Sequence, residues 1–214
     1  MDAEKIALKT LMLSLAIVLI VEVLTWLAVS RCGTPPLISI GAARIVDIAL
    51  LLLTVSSGAY GLAGIGLSWA GISRGVRRGL LWSIGFGVLV LIVYGILLIA
   101  GADPLSYVRG SLPSDTAGIV AIFLVGGVIG PVAEEVFFRG VIYGYAHRWG
   151  ILPALFVSTI LFVGAHSVTS GFPLPQLVGG ILFALAYEVE KNLLVPITIH
   201  VLGNLVLFTL PLMF

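Results

Sequence analysis

Residues 131–140 read PVAEEVFFRG and lie between two apolar stretches, VGGVIG before them and VIYGYA after them. This short stretch places three charged side chains, Glu134, Glu135 and Arg139, in a segment that otherwise reads as a membrane helix. A charged side chain at the centre of a bilayer costs about 2.5–3.5 kcal/mol on insertion scales. A cluster of three such side chains therefore indicates a polar site inside a membrane protein.

The composition of the whole chain agrees with this interpretation. Of its 214 residues, 60% are hydrophobic and only 10% are charged, and the mean hydropathy is +1.21. Soluble domains contain about 25% charged residues. The net charge of +1, without a run of Lys and Arg, excludes a basic surface for nucleic acid. A single cysteine, Cys32, excludes an internal disulfide and a four-cysteine metal site.

The apolar segments predict the fold class. A helix needs about 20 apolar residues to cross a hydrocarbon core about 30 Å thick. The candidate spans are residues 10–29, 40–56, 80–101, 116–138, 151–168, 175–188 and 194–213. We predict an all-α polytopic membrane bundle of seven to eight transmembrane helices, forming one integral membrane domain over residues 1–214. The glycine-rich segment 58–72 is predicted to be a half-span or an interfacial helix, and the role of residues 58–78 stays open.

The basic residues predict the orientation of the chain. Membrane proteins carry an excess of Lys and Arg in their cytoplasmic loops. If the N-terminus is cytoplasmic, the cytoplasmic side holds Lys5, Lys9, Arg74, Arg77, Arg78, Arg148 and Lys191, and the other side holds Arg31 and Arg109. We therefore predict a multi-pass protein of the cell membrane whose N-terminus and active-site opening are cytoplasmic.

Spacing separates the two neighbouring glutamates. Glu135 and Arg139 are four residues apart with the acid first, which is the favourable order for an ion pair within a helix. Glu134 lies about 100° further round the helix, so Arg139 need not neutralise it. One carboxylate is thus paired, and its neighbour is available as a general base.

Two later helices add further polar groups. His166 lies in LFVGAHS, near the end of a predicted span, and His200 and Asn204 lie in HVLGN. The latter two are four residues apart and share one face of the last helix. Three polar sets on three apolar helices indicate one buried polar site. In the first half, Arg44 and Asp47 are predicted to form a structural ion pair, and Glu22 is left unassigned.

These residues indicate hydrolysis. A cysteine near either histidine and an HExxH pattern are both absent from the sequence. Glu134 with His166 can activate a water molecule, and His200 with Asn204 can stabilise the oxyanion of an attacked carbonyl. A zinc enzyme with Glu134, His166 and His200 as metal ligands is the alternative. A non-catalytic scaffold or a small transporter with a protonatable Glu134–His166 relay stays open as well.

The three motifs resemble a known family. EEVFFR (134–139), FVGAH (162–166) and HVLGN (200–204) are similar to the EExxxR, FxxxH and HxxxN pattern of the CPBP family, the CAAX prenyl endopeptidase and bacteriocin-processing membrane proteases. The resemblance covers a catalytic core over residues 116–210, which follows N-terminal helices in residues 1–101.

The resemblance implies a glutamic-type intramembrane protease without a cofactor. By position, Glu134 is the base that works with His166, and His200 and Asn204 form the oxyanion hole. Glu135 and Arg139 support the site. The implied substrate is a prenylated CAAX-type or other hydrophobic peptide, cut near its C-terminus. A bacteriocin-immunity or scaffold protein is the non-catalytic alternative.

Overall fold

The computed structural model describes residues 6–101, 113, 115–166 and 173–213, and this part of the chain is helical without strands. The predicted all-α bundle is confirmed. The seven long helices among these residues are α1 (Leu8–Cys32), α2 (Pro36–Ser56), α3 (Ile72–Ile99), α4 (Thr116–Trp149), α5 (Ile151–His166), α6 (Leu174–Glu190) and α7 (Leu194–Met213).

Helix length and composition support a membrane location. Among the described residues, four helical stretches are long and apolar enough to cross a bilayer, and two further apolar helices are shorter. The four are Leu8–Cys32, Pro36–Ser56, Gly61–Ile99 and Thr116–Trp149; the shorter two are Ile151–His166 and Leu194–Leu210. Large apolar side chains such as Leu19 and Leu91 are more than 60% exposed at the surface of the bundle. Such a surface is stable against lipid, where apolar exposure carries no cost.

One boundary prediction was wrong. The predicted span 116–138 ends too early, because α4 continues without a break to Trp149. Within residues 58–72, the structure has two short 3₁₀ helices, Gly61–Ile65 and Trp69–Gly71. Gly66, with φ at +74°, ends the first of these turns in a left-handed conformation that other residues rarely adopt. Lys5, Arg109 and residue 168 lie outside the described residues.

Helix α4 lies at the centre of the bundle and contacts α1, α2, α5, α6 and α7. Its middle section is buried on all sides, including Val136, Arg139 and Tyr143. Glycines allow the neighbouring helices to come close. A Cβ atom on Gly41 of α2 would lie 2.7 Å from Val125, and one on Gly127 of α4 would lie 2.8 Å from Leu205 of α7.

Helix α4 is not a regular α-helix. Two π-helical stretches, Val125–Ile129 and Val136–Tyr143, flank the short α-helical segment Gly130–Glu135. Pro131 explains the first of them, since proline has no N–H to donate and its ring clashes with the carbonyl four residues back. Single π-helical turns inside α-helices occur often at functional sites. The two distorted stretches enclose the glutamate pair.

Candidate active site

Glu135 is the centre of a buried network. Its Oε1 accepts hydrogen bonds from Arg139 Nη1 at 2.9 Å and from His200 Nδ1 at 2.8 Å. Glu135 and Arg139 are fully buried, and His200 is 5% exposed. The predicted Glu135–Arg139 ion pair is confirmed. The bond to His200 was not predicted, because it joins two residues on different helices that are 65 positions apart in sequence.

Arg139 is held on its other sides by aromatic rings and by backbone. Its Nη2 donates to the carbonyl oxygen of Gly180 on α6 at 3.2 Å. The guanidinium carbon lies 4.5 Å from the ring centroid of Phe162 and 5.3 Å from that of Phe183. A desolvated arginine gains about 2 kcal/mol from such ring contacts. These contacts, together with Glu135, compensate the charge that Arg139 brings into the bundle.

Glu134 faces both histidines. Its Oε2 lies 3.6 Å from His166 Nε2 and 3.8 Å from His200 Nε2. This oxygen is buried and has no hydrogen-bond partner among the described residues. The structure thus brings Glu134, His166 and His200 together, as the sequence predicts. Glu134, which the helical spacing predicts to be unpaired with Arg139, is the glutamate whose carboxylate faces the two imidazoles.

The hydrogen bonds of the two imidazoles determine which nitrogen faces Glu134. His166 Nδ1 lies 2.8 Å from the carbonyl oxygen of Phe162, which can only accept, so Nδ1 carries the proton. His200 Nδ1 donates to the Glu135 carboxylate in the same way. In the neutral state, both Nε2 atoms therefore present a lone pair towards Glu134.

Two phenylalanines position the imidazole rings. Phe183 stacks on His200 with ring centroids 4.4 Å apart and an interplanar angle of 23°. Phe162 lies 4.6 Å from the ring of His166 and 5.8 Å from that of His200. The phenylalanine of the FxxxH motif thus contributes its carbonyl and its ring to the site. Its position four residues before His166 was the signal for this role.

Asn204 donates a hydrogen bond to the backbone of α4. The N–H of Gly130 donates to Val125 O, five residues back, so in the same register Gly126 O would pair with residue 131. Residue 131 is proline and has no N–H. Asn204 Nδ2 fills the place of that donor, 2.9 Å from Gly126 O. An amide nitrogen carries two N–H groups, so this bond leaves one donor of Asn204 for another acceptor.

The first two helices also reach the site. A cavity of about 410 Å³ is lined by Glu134 of α4 and His166 of α5, together with Glu22 of α1 and Arg44 and Asp47 of α2. Arg44 Nη1 donates to Asp47 Oδ2 at 2.6 Å, which confirms the predicted pair, and Arg44 Nη2 donates to Glu22 Oε1. No pattern in the sequence indicated that this cluster shares a cavity with Glu134.

The fold and the site together define an integral membrane protein with a Glu–His–His centre inside its helix bundle. Residues 116–206 match the family described as type II CAAX prenyl endopeptidase, Rce1-like. All three motifs fall within the matched residues. This match supports the resemblance of these residues to the CPBP family.

A curated relative supports the same conclusion. The membrane-embedded CAAX protease MroQ of Staphylococcus aureus (strain USA300) is 37% identical to this chain over 92 residues, which are 40% of this chain and 36% of that protein. The similarity thus spans about a third of the relative's length. No solved structure matches the chain.

Proposed function

We propose that this protein is an intramembrane endopeptidase in which Glu134 activates water for attack on a peptide bond. The observation that carries the proposal is the position of Glu134 Oε2, which is buried, lacks a hydrogen-bond partner among the described residues and faces two imidazole Nε2 atoms at 3.6 and 3.8 Å. Polar groups separated by such distances are often joined by a water molecule.

In the proposed reaction, one water molecule donates hydrogen bonds to Glu134 Oε2 and His166 Nε2. Glu134 takes one proton as the water oxygen attacks the carbonyl carbon, which gives a tetrahedral oxyanion. The C–N bond then breaks, and Glu134 returns the proton to the leaving nitrogen. The products are a carboxylic acid and an amine. General acid–base catalysis of this kind contributes about 10²- to 10⁴-fold in rate.

The oxyanion is assigned to His200 and Asn204. Asn204 keeps one N–H besides the one bound to Gly126 O. His200 becomes a donor at Nε2 when its ring carries a second proton, and the Glu135 carboxylate accepts from its Nδ1 and so fixes the orientation of the ring. Glu135 therefore acts through His200, and its own bond to Arg139 keeps it in place. Loss of one such donor typically costs about 10²- to 10³-fold in turnover.

The proposed substrate is a prenylated CAAX-type peptide or another hydrophobic peptide, cut near its C-terminus. Leu51, Phe137 and Phe138 supply apolar wall to the cavity that Glu134 lines. A lipid chain that enters from the bilayer gains about 0.8 kcal/mol for each buried CH₂. We place the opening on the cytoplasmic side with the N-terminus, as the distribution of Lys and Arg favours.

A zinc enzyme remains the alternative mechanism. Both histidines have Nδ1 bound to an acceptor and Nε2 directed at Glu134, the usual arrangement of metal-bound histidines. In the described part of the chain, however, no group of three His, Cys, Asp or Glu side chains has the arrangement of a metal site. Zinc at Glu134, His166 and His200 would therefore require the side chains to move, and would supply a Lewis acid for the bound water.

The test is cleavage of a quenched-fluorescence farnesylated CAAX peptide by purified protein in liposomes. We expect cleavage that persists with a strong zinc chelator and is lost in Glu134→Gln. Asp115→Asn is the matched control, because Asp115 is exposed and its replacement keeps an N-cap oxygen for Gly118 N–H. Loss with chelator and recovery with zinc would support the metalloenzyme. A folded wild type that cuts neither this peptide nor an unprenylated hydrophobic peptide would contradict the protease and favour a scaffold.

A further inference from the structure

Glu22, Arg44 and Asp47 lie outside the three sequence motifs, on α1 and α2, yet they line the cavity that contains Glu134 and His166. Arg44 begins the third turn of α2 and lies about 12 Å along its axis from Pro36, at 1.5 Å per residue. A charge at such depth in a bilayer is costly and typically serves a ligand or pathway.

The two partners of Arg44 differ in accessibility. Asp47, on the same helix, has a side chain that is 2% exposed, whereas that of Glu22, on α1, is 46% exposed. Arg44 and Asp47 therefore form a fixed neutral pair. Glu22 is the exchangeable second carboxylate, since its side chain is only half-buried and the surrounding protein does not hold it in place.

We propose that Arg44 binds the C-terminal carboxylate of the substrate, and that Glu22 occupies that position in the free protein. This inference rests on the proposed function and names the feature of the substrate that the site recognises. A guanidinium presents its N–H groups in a planar fork that matches a carboxylate. One exchangeable carboxylate fits there at a time, because two carboxylates beside the Arg44–Asp47 pair would repel each other.

Asp47 contributes a second contact to this site. Its Oδ1 is buried and has no hydrogen-bond partner among the described residues. A buried oxygen without a donor has lost its hydrogen bonds to water without replacement, so binding of a donor there is favoured. The last peptide N–H of the substrate, next to its carboxylate, is a donor of the right kind.

The size of the cavity suits a short C-terminal segment. Three extended residues reach about 10 Å, and a sphere with the volume of this cavity, about 410 Å³, is about 9 Å across. A peptide whose carboxylate lies on Arg44 would therefore place about three residues in the cavity that Glu134 lines. The position of the cut is then measured from the carboxylate.

The experiment compares two peptides that differ only in their C-terminus, a free acid and an amide. Wild type is expected to cleave the acid with a kcat/KM roughly 10- to 100-fold higher, as for a charge-assisted hydrogen bond. In Arg44→Gln this preference falls towards one, because KM for the acid rises. Arg44→Lys keeps part of the preference. Glu22→Gln lowers KM for the acid alone, because it removes the competing carboxylate.

The ratio of the two peptides within one preparation is independent of how much protein is folded, so a loss of stability in Arg44→Gln does not mimic the expected result. A preference that is equal in wild type and Arg44→Gln would overturn the inference and leave the protease intact. If neither peptide is cut, the proposed function fails. The inference is then tested separately by the affinity of the Glu134→Gln variant for the acid and the amide peptide. Equal affinity of that variant for acid and amide would refute carboxylate recognition.

Discussion

The isosteric substitutions Glu134→Gln and Glu135→Gln, at adjacent positions, should differ in their effect on the free energy of unfolding. In Glu135→Gln, the amide cannot balance the charge of Arg139, which is fully buried and bonded to Glu135 at 2.9 Å. Glu135 also accepts from His200 at 2.8 Å, so two charge-assisted bonds weaken together. Breaking a buried ion pair by removing one partner costs about 3–5 kcal/mol. We expect the free energy of unfolding of Glu135→Gln to fall by that amount.

In Glu134→Gln, by contrast, the affected Oε2 has no hydrogen-bond partner among the described residues, and the nearest imidazole nitrogen is 3.6 Å away. The substitution removes the proposed base without breaking a buried pair. We expect a change in the free energy of unfolding of less than about 1 kcal/mol, as for substitutions away from buried networks. Turnover should nevertheless be lost.

The assay is reversible denaturation of the purified protein in mixed micelles, followed by tryptophan fluorescence, with peptide cleavage measured on the same samples. The double variant Glu135→Gln/Arg139→Met is the control, because removing both charges is often close to neutral for stability. It should regain most of the lost stability without regaining activity. Equal destabilisation by Glu134→Gln and Glu135→Gln, or no rescue in the double variant, would refute the division of roles between the two glutamates.

Two further predictions concern the packing of α4. Asn204→Leu leaves Gly126 O without its donor and should lower the free energy of unfolding by about 1–3 kcal/mol, in addition to any loss of turnover; unchanged denaturation would show that the bond has no structural role. Gly127→Ala should destabilise by about 1 kcal/mol, since the new Cβ would lie 2.8 Å from Leu205 Cδ2, a side-chain end that has to shift. Gly85→Ala, where a Cβ meets open space, is its control and should be neutral or stabilising. Equal midpoints for the two alanine variants would argue against close packing of α4 and α7.

The sequence by itself determined the features that depend on local spacing. An apolar chain that must satisfy its backbone hydrogen bonds in lipid becomes helical, so composition alone predicts the all-α bundle. The Glu135–Arg139 pair and the Arg44–Asp47 pair follow from helical periodicity, because residues three or four apart lie on one face. The same rule predicts that Glu134 is not paired with Arg139.

The tertiary structure alone decided which faces meet. The bond between His200 and Glu135 depends on how α7 packs against α4, and glycines such as Gly127 set that approach. Local pattern also did not predict that α4 continues to Trp149 through two π-helical stretches. Pro131 leaves the carbonyl of Gly126 without a donor on its own helix, and Asn204 of α7 supplies that donor. The motifs placed no residue of α1 or α2 at the site, yet packing brings Arg44 into the cavity of Glu134. Periodicity fixes the neighbours of a residue on its own helix, whereas its partners on other helices depend on the packing of the whole bundle.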